Sequence, residues 1–352
     1  MKIKNTLTYS DIREIPGLLR LFSERAQGLK KTALKSKNNS VYLVGRGSSG
    51  NATLFAKYIW EVYAGVITNF IHPHSIFEAR KPLNFKGQAV WAFSQSGKSE
   101  DIVACLKLLK KWGAKTVAVT NEPLLAENPL ARAADAHILL SNSKELPVAA
   151  TKSFALQLWA VLWTAQIWGG CFRKIDFSET VKLAQQLVSA PFEEAAPATQ
   201  RRRATCLPKM WWQAQPFFKK VKAAQMIGFV GRGPYNAVAE DAALKFREIS
   251  RSHALGYSAA EFLHGPVGAY SASDFIFLLS PGRKLPKDLM KVAKALKERG
   301  TPYRVVAQKQ GRFPFNCLLA DIELKLLALN LALSRGLNPD TPKGLKKVTR
   351  TF

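Results

Sequence analysis

The stretch Val-Gly-Arg-Gly occurs twice, at residues 44–47 and again at 230–233, and each copy joins an apolar run to a helical pattern. A repeat of this kind constrains the fold more than any single motif, because two copies of one supersecondary unit imply two copies of one architecture. The first copy, VGRGSSG, also spells G-x-G-x-x-G through Gly45, Gly47 and Gly50. A dinucleotide-binding turn of that form needs an acidic residue at the end of the second strand for the ribose. Here the second apolar run ends Ile71-His72-Pro73-His74, with no acid, and the second copy puts Asn236 where the third glycine should stand. What survives is a strand-to-helix turn whose backbone N–H groups and helix N-terminus attract an anion.

The pattern around both copies reads as alternating strand and helix. SVYLVG, GQAVWAFSQ, KTVAVTN and HILLS read as strands, and NATLFAKYIWEVYAG and SEDIVACLKLLKKWG as helices. In the latter, Ile102, Cys105, Leu106 and Leu109 fall at helical spacing, and Gly113 suits the C′ position. After residue 222 the rhythm restarts: MIGFVGRG is strand and turn, NAVAEDAALKFREISRSH helix, SDFIFLLSPG strand, PKDLMKVAKALKERG helix and TPYRVVAQ strand. We therefore expect an α/β protein of two modules, each a parallel sheet flanked by helices. The expected boundaries are a helical segment over 1–36, a first module over 37–172, a connector over 173–222, a second module over 223–335 and a tail over 336–352. The connector opens with helical SETVKLAQQLVSA and continues into the basic run PFEEAAPATQRRRATCLPK.

A second hydroxyl-rich turn, FSQSGKSED, places Ser94, Gln95, Ser96 and Ser99 between the third strand and its helix. Parallel strands point their C-terminal ends at one crevice, so Ser48 and Ser49 should converge there with Ser94–Ser99 as a phosphate cup. One such turn would be an ordinary helix cap; two at adjacent strand ends favour a ligand.

The formal net charge is +27. Lysine and arginine are spread along the chain instead of forming one patch interleaved with aromatics, which fits a solvated basic surface that attracts anionic substrates and binds polyanions only non-specifically. No specific nucleic-acid partner is expected. The four cysteines, Cys105, Cys171, Cys206 and Cys317, are not at metal-ligand spacing and suit reduced thiols of the cytoplasm. MKIKNTLTYSDIREIPG lacks the apolar core of a signal peptide. Residues 154–172, FALQLWAVLWTAQIWGGCF, are uncharged and long enough to span a bilayer. Gln157, Thr164, Gln166 and the Gly169–Gly170 pair favour a helix buried on all sides, and no membrane partner is expected. His72-Pro73-His74 has no carboxylate or cysteine companion in view and is read as a loop.

SQSGKSEDIVACL, ELPVAATKSFALQL and ALKFREISRSHALGYSAAEFLHGP, in that order, resemble the tandem sugar-isomerase (SIS) domain proteins. The resemblance runs from IREIPG to PKGLKKVT and is nearest to the isomerase half of glucosamine-6-phosphate synthase and to the type II glucosamine-6-phosphate deaminases. It implies two tandem flavodoxin-like SIS modules. It implies phosphate binding by Ser94, Gln95, Ser96 and Ser99, with Ser49 and its neighbour Ser48 from the first turn, and sugar contacts at Val148 and Ala149. It implies that Glu248 of the Lys-x-x-Glu motif moves a proton between sugar C1 and C2 beside Lys245, and that His264 of His-Gly-Pro assists ring opening. It also implies a role for Lys347 near the C-terminus. In relatives the histidine comes from the neighbouring subunit, so a homodimer with shared sites is expected.

Such chemistry needs an open-chain sugar, one carboxylate reaching both carbons and donors to stabilise an enediol-like or enamine intermediate, but no metal or redox cofactor. Lys98 and Leu255 stand where relatives commonly carry other residues. No glutaminase domain with its N-terminal cysteine precedes the match, so the expected reaction is deamination of glucosamine 6-phosphate. The alternatives are a fructosamine-6-phosphate deglycase or another amino-sugar phosphate isomerase, and a non-enzymatic sugar-phosphate sensor.

Overall fold

A computed structural model describes residues 3–35, 37–189, 215–282, 284–307 and 310–347. Cys206 and most of the basic part of the expected connector lie outside the described residues. The chain opens with α1 (Leu7–Lys35) and then builds the first module: β1 (Ser40–Gly45), α2 (Gly47–Ala64), β2 (Ile67–Phe70), α3 (Pro73–Phe77), β3 (Ala89–Ser94), α4 (Glu100–Lys111), β4 (Lys115–Thr120), α5 (Pro129–Ala133) and β5 (Ala136–Leu139). Two long helices follow, α6 (Lys152–Gly169) and α7 (Lys174–Ser189). After α8 (Pro216–Ala223) comes the second module: β6 (Met226–Gly231), α9 (Pro234–Ser250), β7 (His253–Ser258), α10 (Ala259–Leu263), β8 (Phe275–Ser280), α11 (Lys287–Glu298), β9 (Tyr303–Ala307) and α12 (Asn316–Ser334).

Both sheets are wholly parallel, with strand orders β2-β1-β3-β4-β5 and β7-β6-β8-β9. In each, the first strand of the module sits between its second and third, so the direction of winding reverses there. The first sheet has the flavodoxin-like order, in which a ligand crevice opens at the point of reversal, outside the ends of β1 and β3. The central strands β3 and β8 are buried along their whole length, as their unbroken apolar runs require.

The two glycines of each GRG turn have the same physical cause in both modules. A side chain on Gly45 would come within 2.8 Å of the Ser49 carbonyl oxygen, and one on Gly231 within 2.3 Å of that of Tyr235. The second glycines, Gly47 and Gly233, take φ of +52° and +58°, which only glycine adopts without strain. The match to the dinucleotide fingerprint thus reflects close strand–helix packing and a left-handed turn.

The uncharged run 154–172 supplies most of α6, which is buried around almost its whole circumference and packed against α1 and α2. Trp159 hands its indole N–H to the Leu19 carbonyl at 3.0 Å, and Trp168 does so to Ala33 at 2.8 Å, so the buried indoles are satisfied. Among the described residues no helix is long and apolar enough to cross a membrane. The modules meet through α2 and α9, and α12 packs along α9; one continuous apolar core runs through both. The expected connector is helical at both described ends, and α7 packs on α1 and α12. His72-Pro73-His74, read as loop, instead opens the short helix α3, with Pro73 at its first position.

Candidate active site

The cavity at the reversal point of the first sheet measures about 870 Å³, within the range of small-molecule sites. Its walls bring together Ser48 and Ser49, the turn Ser94–Ser96 with Ser99, Val148, Lys245 and Glu248, and the tail residues Gly344–Lys347. These come from both modules and the C-terminal tail. Ala149, expected at the sugar, is fully buried and packs with Ile249 and Ala332 instead; its neighbour Ala150 lines the cavity.

Helix α2 begins four residues earlier than the apolar pattern indicates. Ser48 and Ser49 therefore occupy its first turn, where backbone N–H groups lack intrahelical partners. Ser49 Oγ accepts a hydrogen bond from Gln157 Nε2 of α6 at 2.9 Å, so one polar residue of the apolar helix serves the site. Ser48 Oγ is buried without any hydrogen-bond partner. A hydroxyl in that state carries a desolvation cost of about 1–3 kcal/mol that a ligand oxygen would relieve. Across the crevice Ser94 Oγ accepts the Gly97 N–H at 3.1 Å and lies 3.4 Å from Ser99 Oγ. Ser96 Oγ accepts the Lys98 N–H at 3.1 Å. Lys98 itself points away and pairs with Glu127 at 3.0 Å.

The opposite wall is ionic. Lys245, nearly fully buried, pairs with the more exposed Glu248 one turn along α9. Burial pushes the Lys245 ammonium down, but Glu248 and then Asp241 push it up more strongly, and it ends above the ordinary lysine range. Asp241 is itself buried: one oxygen accepts from Asn51 Nδ2 at 3.3 Å and the other has no hydrogen-bond partner. Beneath Val148 and Ala150, the buried Glu145 carboxylate accepts from the backbone and hydroxyl of both Thr151 and Ser153.

The tail is tied down by Asp340. Its carboxylate accepts the backbone N–H groups of Leu7 and Thr8, at 2.9 and 2.8 Å, and the Thr8 hydroxyl at 2.7 Å. Its carbonyl accepts the Val148 N–H at 3.2 Å. Seven residues on, Lys347 reaches the cavity. Although the side chain as a whole is exposed, burial around its amine holds it below the ordinary lysine range against the opposing pull of Glu145 and Asp11.

His264 stands apart. It closes α10 just before Gly265, is exposed, and is not part of the cavity wall of its own chain. Arg46 and Asp101 also line the cavity; in the sequence Arg46 reads only as part of the repeated turn and Asp101 only as part of a helix start. Among the described residues no group of three or more His, Cys, Asp or Glu side chains could hold a metal ion.

The family profile described as SIS domain matches residues 34–166 and 221–312. Glutamine–fructose-6-phosphate aminotransferase (isomerizing) of Shewanella oneidensis is 29% identical over 327 residues, covering 87% of this chain and 51% of that protein. The chain spans about half the length of the curated relatives it matches. Glucosamine-6-phosphate deaminase of Thermotoga maritima superposes with a TM-score of 0.79 at 22% identity, over 98% of this chain and 100% of that one. The C-terminal domain of glucosamine-fructose-6-phosphate aminotransferase of Francisella tularensis gives 0.77 at 20% identity, over 96% and 98%. At these identities the two superpositions speak to the fold.

Proposed function

This chain belongs to the SIS-domain family, and from that premise we propose that it deaminates glucosamine 6-phosphate to fructose 6-phosphate and ammonia. The observation that carries the reading is the shared cavity: the serine turns, Glu248 with its Lys245 partner, and Lys347 all face one space large enough for a hexose phosphate.

In this account the phosphate sits between the first turns of α2 and α4, where Ser48 Oγ gains its missing partner. His264 assists opening of the pyranose ring. Because it lies outside the cavity of its own chain, a second copy supplies it, and the working unit is a homodimer with shared sites. Glu248 takes the C2 proton of the open-chain aldehyde, leaving a 2-amino enolate; O1 gains a proton, the amine gives up one N–H proton, and Glu248 returns its own proton to C1. The product is a 2-imine with a C1 alcohol. Water adds to the imine carbon and the C–N bond breaks, releasing ammonia and fructose 6-phosphate. Lys347, with its amine below the ordinary range, and Lys245, held charged by two carboxylates, position and stabilise the anionic intermediate.

The test is to incubate the purified protein with glucosamine 6-phosphate and follow ammonia and fructose 6-phosphate together. Equal release of both is expected. Conversion without ammonia would instead assign an aldose–ketose isomerase, and binding without conversion a sensor.

A further inference from the structure

The duplicated turn carries a duplicated ion pair. Arg46 Nε donates to Asp101 Oδ2 at 2.8 Å, and Arg232 Nη1 lies 3.0 Å from Asp288 Oδ2. In each module the arginine follows the first strand, and the aspartate is the second residue of the helix after the third strand. Even the spare carboxylate oxygens match: Asp101 Oδ1 accepts the Ile102 N–H at 2.8 Å and Asp288 Oδ1 the Leu289 N–H at 2.9 Å. Both modules thus latch their point of reversal in the same way.

Their surroundings differ. Beside Arg232 the chain places Pro234, Tyr235, Ser280 and Pro281: Tyr235 is buried, and Ser280, which ends β8 as Ser94 ends β3, is buried with its hydroxyl donated to the Gly282 carbonyl at 2.8 Å. Beside Arg46 it places the serine turns and the cavity. The Asp101 side chain is only 5% exposed, whereas half of Arg46 remains accessible. Only Nε is committed to the latch; among the described residues the two terminal nitrogens of Arg46 donate no hydrogen bond. A guanidinium fixed through one nitrogen presents its remaining donors as a preorganised fork, which suits a phosphate dianion better than a flexible ammonium does.

We propose that Arg46 is a further phosphate ligand: Asp101 orients it, its terminal nitrogens bind the substrate's phosphate, and it sets the preference of the cavity for phosphorylated sugars. In the second module the same pair is a latch alone. The proposal rests on the phosphosugar reading above but not on the deamination step.

The experiment compares wild type with R46Q, R46K and R232Q, measuring inorganic phosphate binding by calorimetry, KM and kcat for glucosamine 6-phosphate, and thermal stability. R46Q should weaken phosphate binding and raise KM by about tenfold to a hundredfold, the effect of one or two charge-assisted hydrogen bonds, with the larger part of the change in KM. R46K should recover part of it. R232Q should lose latch stability comparably while phosphate affinity and KM stay as in wild type. Phosphate affinity unchanged in R46Q, an equal loss in R232Q, or no phosphate binding by wild type would each overturn the assignment. If wild type binds phosphate but turns nothing over, with R46Q still weakened, the deaminase reading fails and the role of Arg46 stands.

Discussion

Lys245 and Glu248 stand one turn apart on α9, and their ion pair ties a buried ammonium to a carboxylate at the cavity wall. The helix supplies the geometry, since side chains three apart share a face. Glu248, and after it the neighbouring Asp241, keeps the lysine charged in spite of its burial.

Removing that cation strands two carboxylates. Lys245→Met should destabilise the protein by about 3 kcal/mol, as expected when one partner of a buried pair is lost. The pKa of Lys245 is raised on folding, so the pair's contribution is fully present below the unfolded lysine value and is lost as pH rises through the higher folded one. Denaturant unfolding should therefore show a constant gap between wild type and variant from pH 6 to 9, narrowing only above about pH 10.5. A gap that closes near neutrality would contradict this.

Gly97 shapes the second serine turn. Its φ is +67°, and a β-carbon there would fall 2.0 Å from Asn128 Oδ1. Asn128 cannot yield cheaply: it donates to Thr120 Oγ1 at 2.7 Å and to the Glu122 carbonyl at 2.8 Å, and accepts the Ala131 N–H at 3.0 Å. Gly97→Ala should cost about 2 kcal/mol or more and weaken binding of inorganic phosphate, measurable by thermal unfolding and calorimetry. Wild-type phosphate affinity in that variant would separate the turn from the ligand.

Much of this was legible in the residues. The two GRG turns indicated two modules because the same packing constraint recurs at Gly45 and Gly231. The serine turns were visible because hydroxyls and glycine cluster at strand ends. Other features were not legible. Strand β7 reads HALGYS, with only Ala254, Leu255 and Tyr257 apolar, and shows no clear period beside the helix preceding it. The start of α2 is not legible because Gly47-Ser48-Ser49-Gly50 has poor helix propensity, overridden by packing on β1. Arg46 carried no signal of its own, since an identical arginine sits in the second turn. Asp340 lies 333 residues from Leu7, whose N–H it accepts, and no local pattern reports so distant a contact.

That contact is testable. Asp340→Ala removes the acceptor at the start of α1, worth about 1–2 kcal/mol, and loosens the segment that leads to Lys347. We expect kcat/KM for glucosamine 6-phosphate to fall about tenfold or more with Lys347 intact, because small displacements of positioned groups are costly. Lower stability with unchanged kcat/KM would show that the tail holds its place without the clamp.

The exposed position of His264 makes the shared site a matter for complementation. Glu248→Gln and His264→Asn should each be inactive alone. Mixed as unfolded chains and refolded together, they should regain about a quarter of wild-type activity, the statistical yield of intact sites in a two-fold dimer. No recovery, from variants that do form mixed dimers, would place both residues in one chain's site.

The central claim is that Glu248 carries the proton from C2 to C1 on the way to ammonia. Glucosamine 6-phosphate deuterated at C2 tests it most directly. Wild type should show a primary isotope effect on kcat/KM and release ammonia, while Glu248→Gln should bind inorganic phosphate normally and release none. Ammonia release at wild-type rate by Glu248→Gln, or none by either protein, would contradict the account.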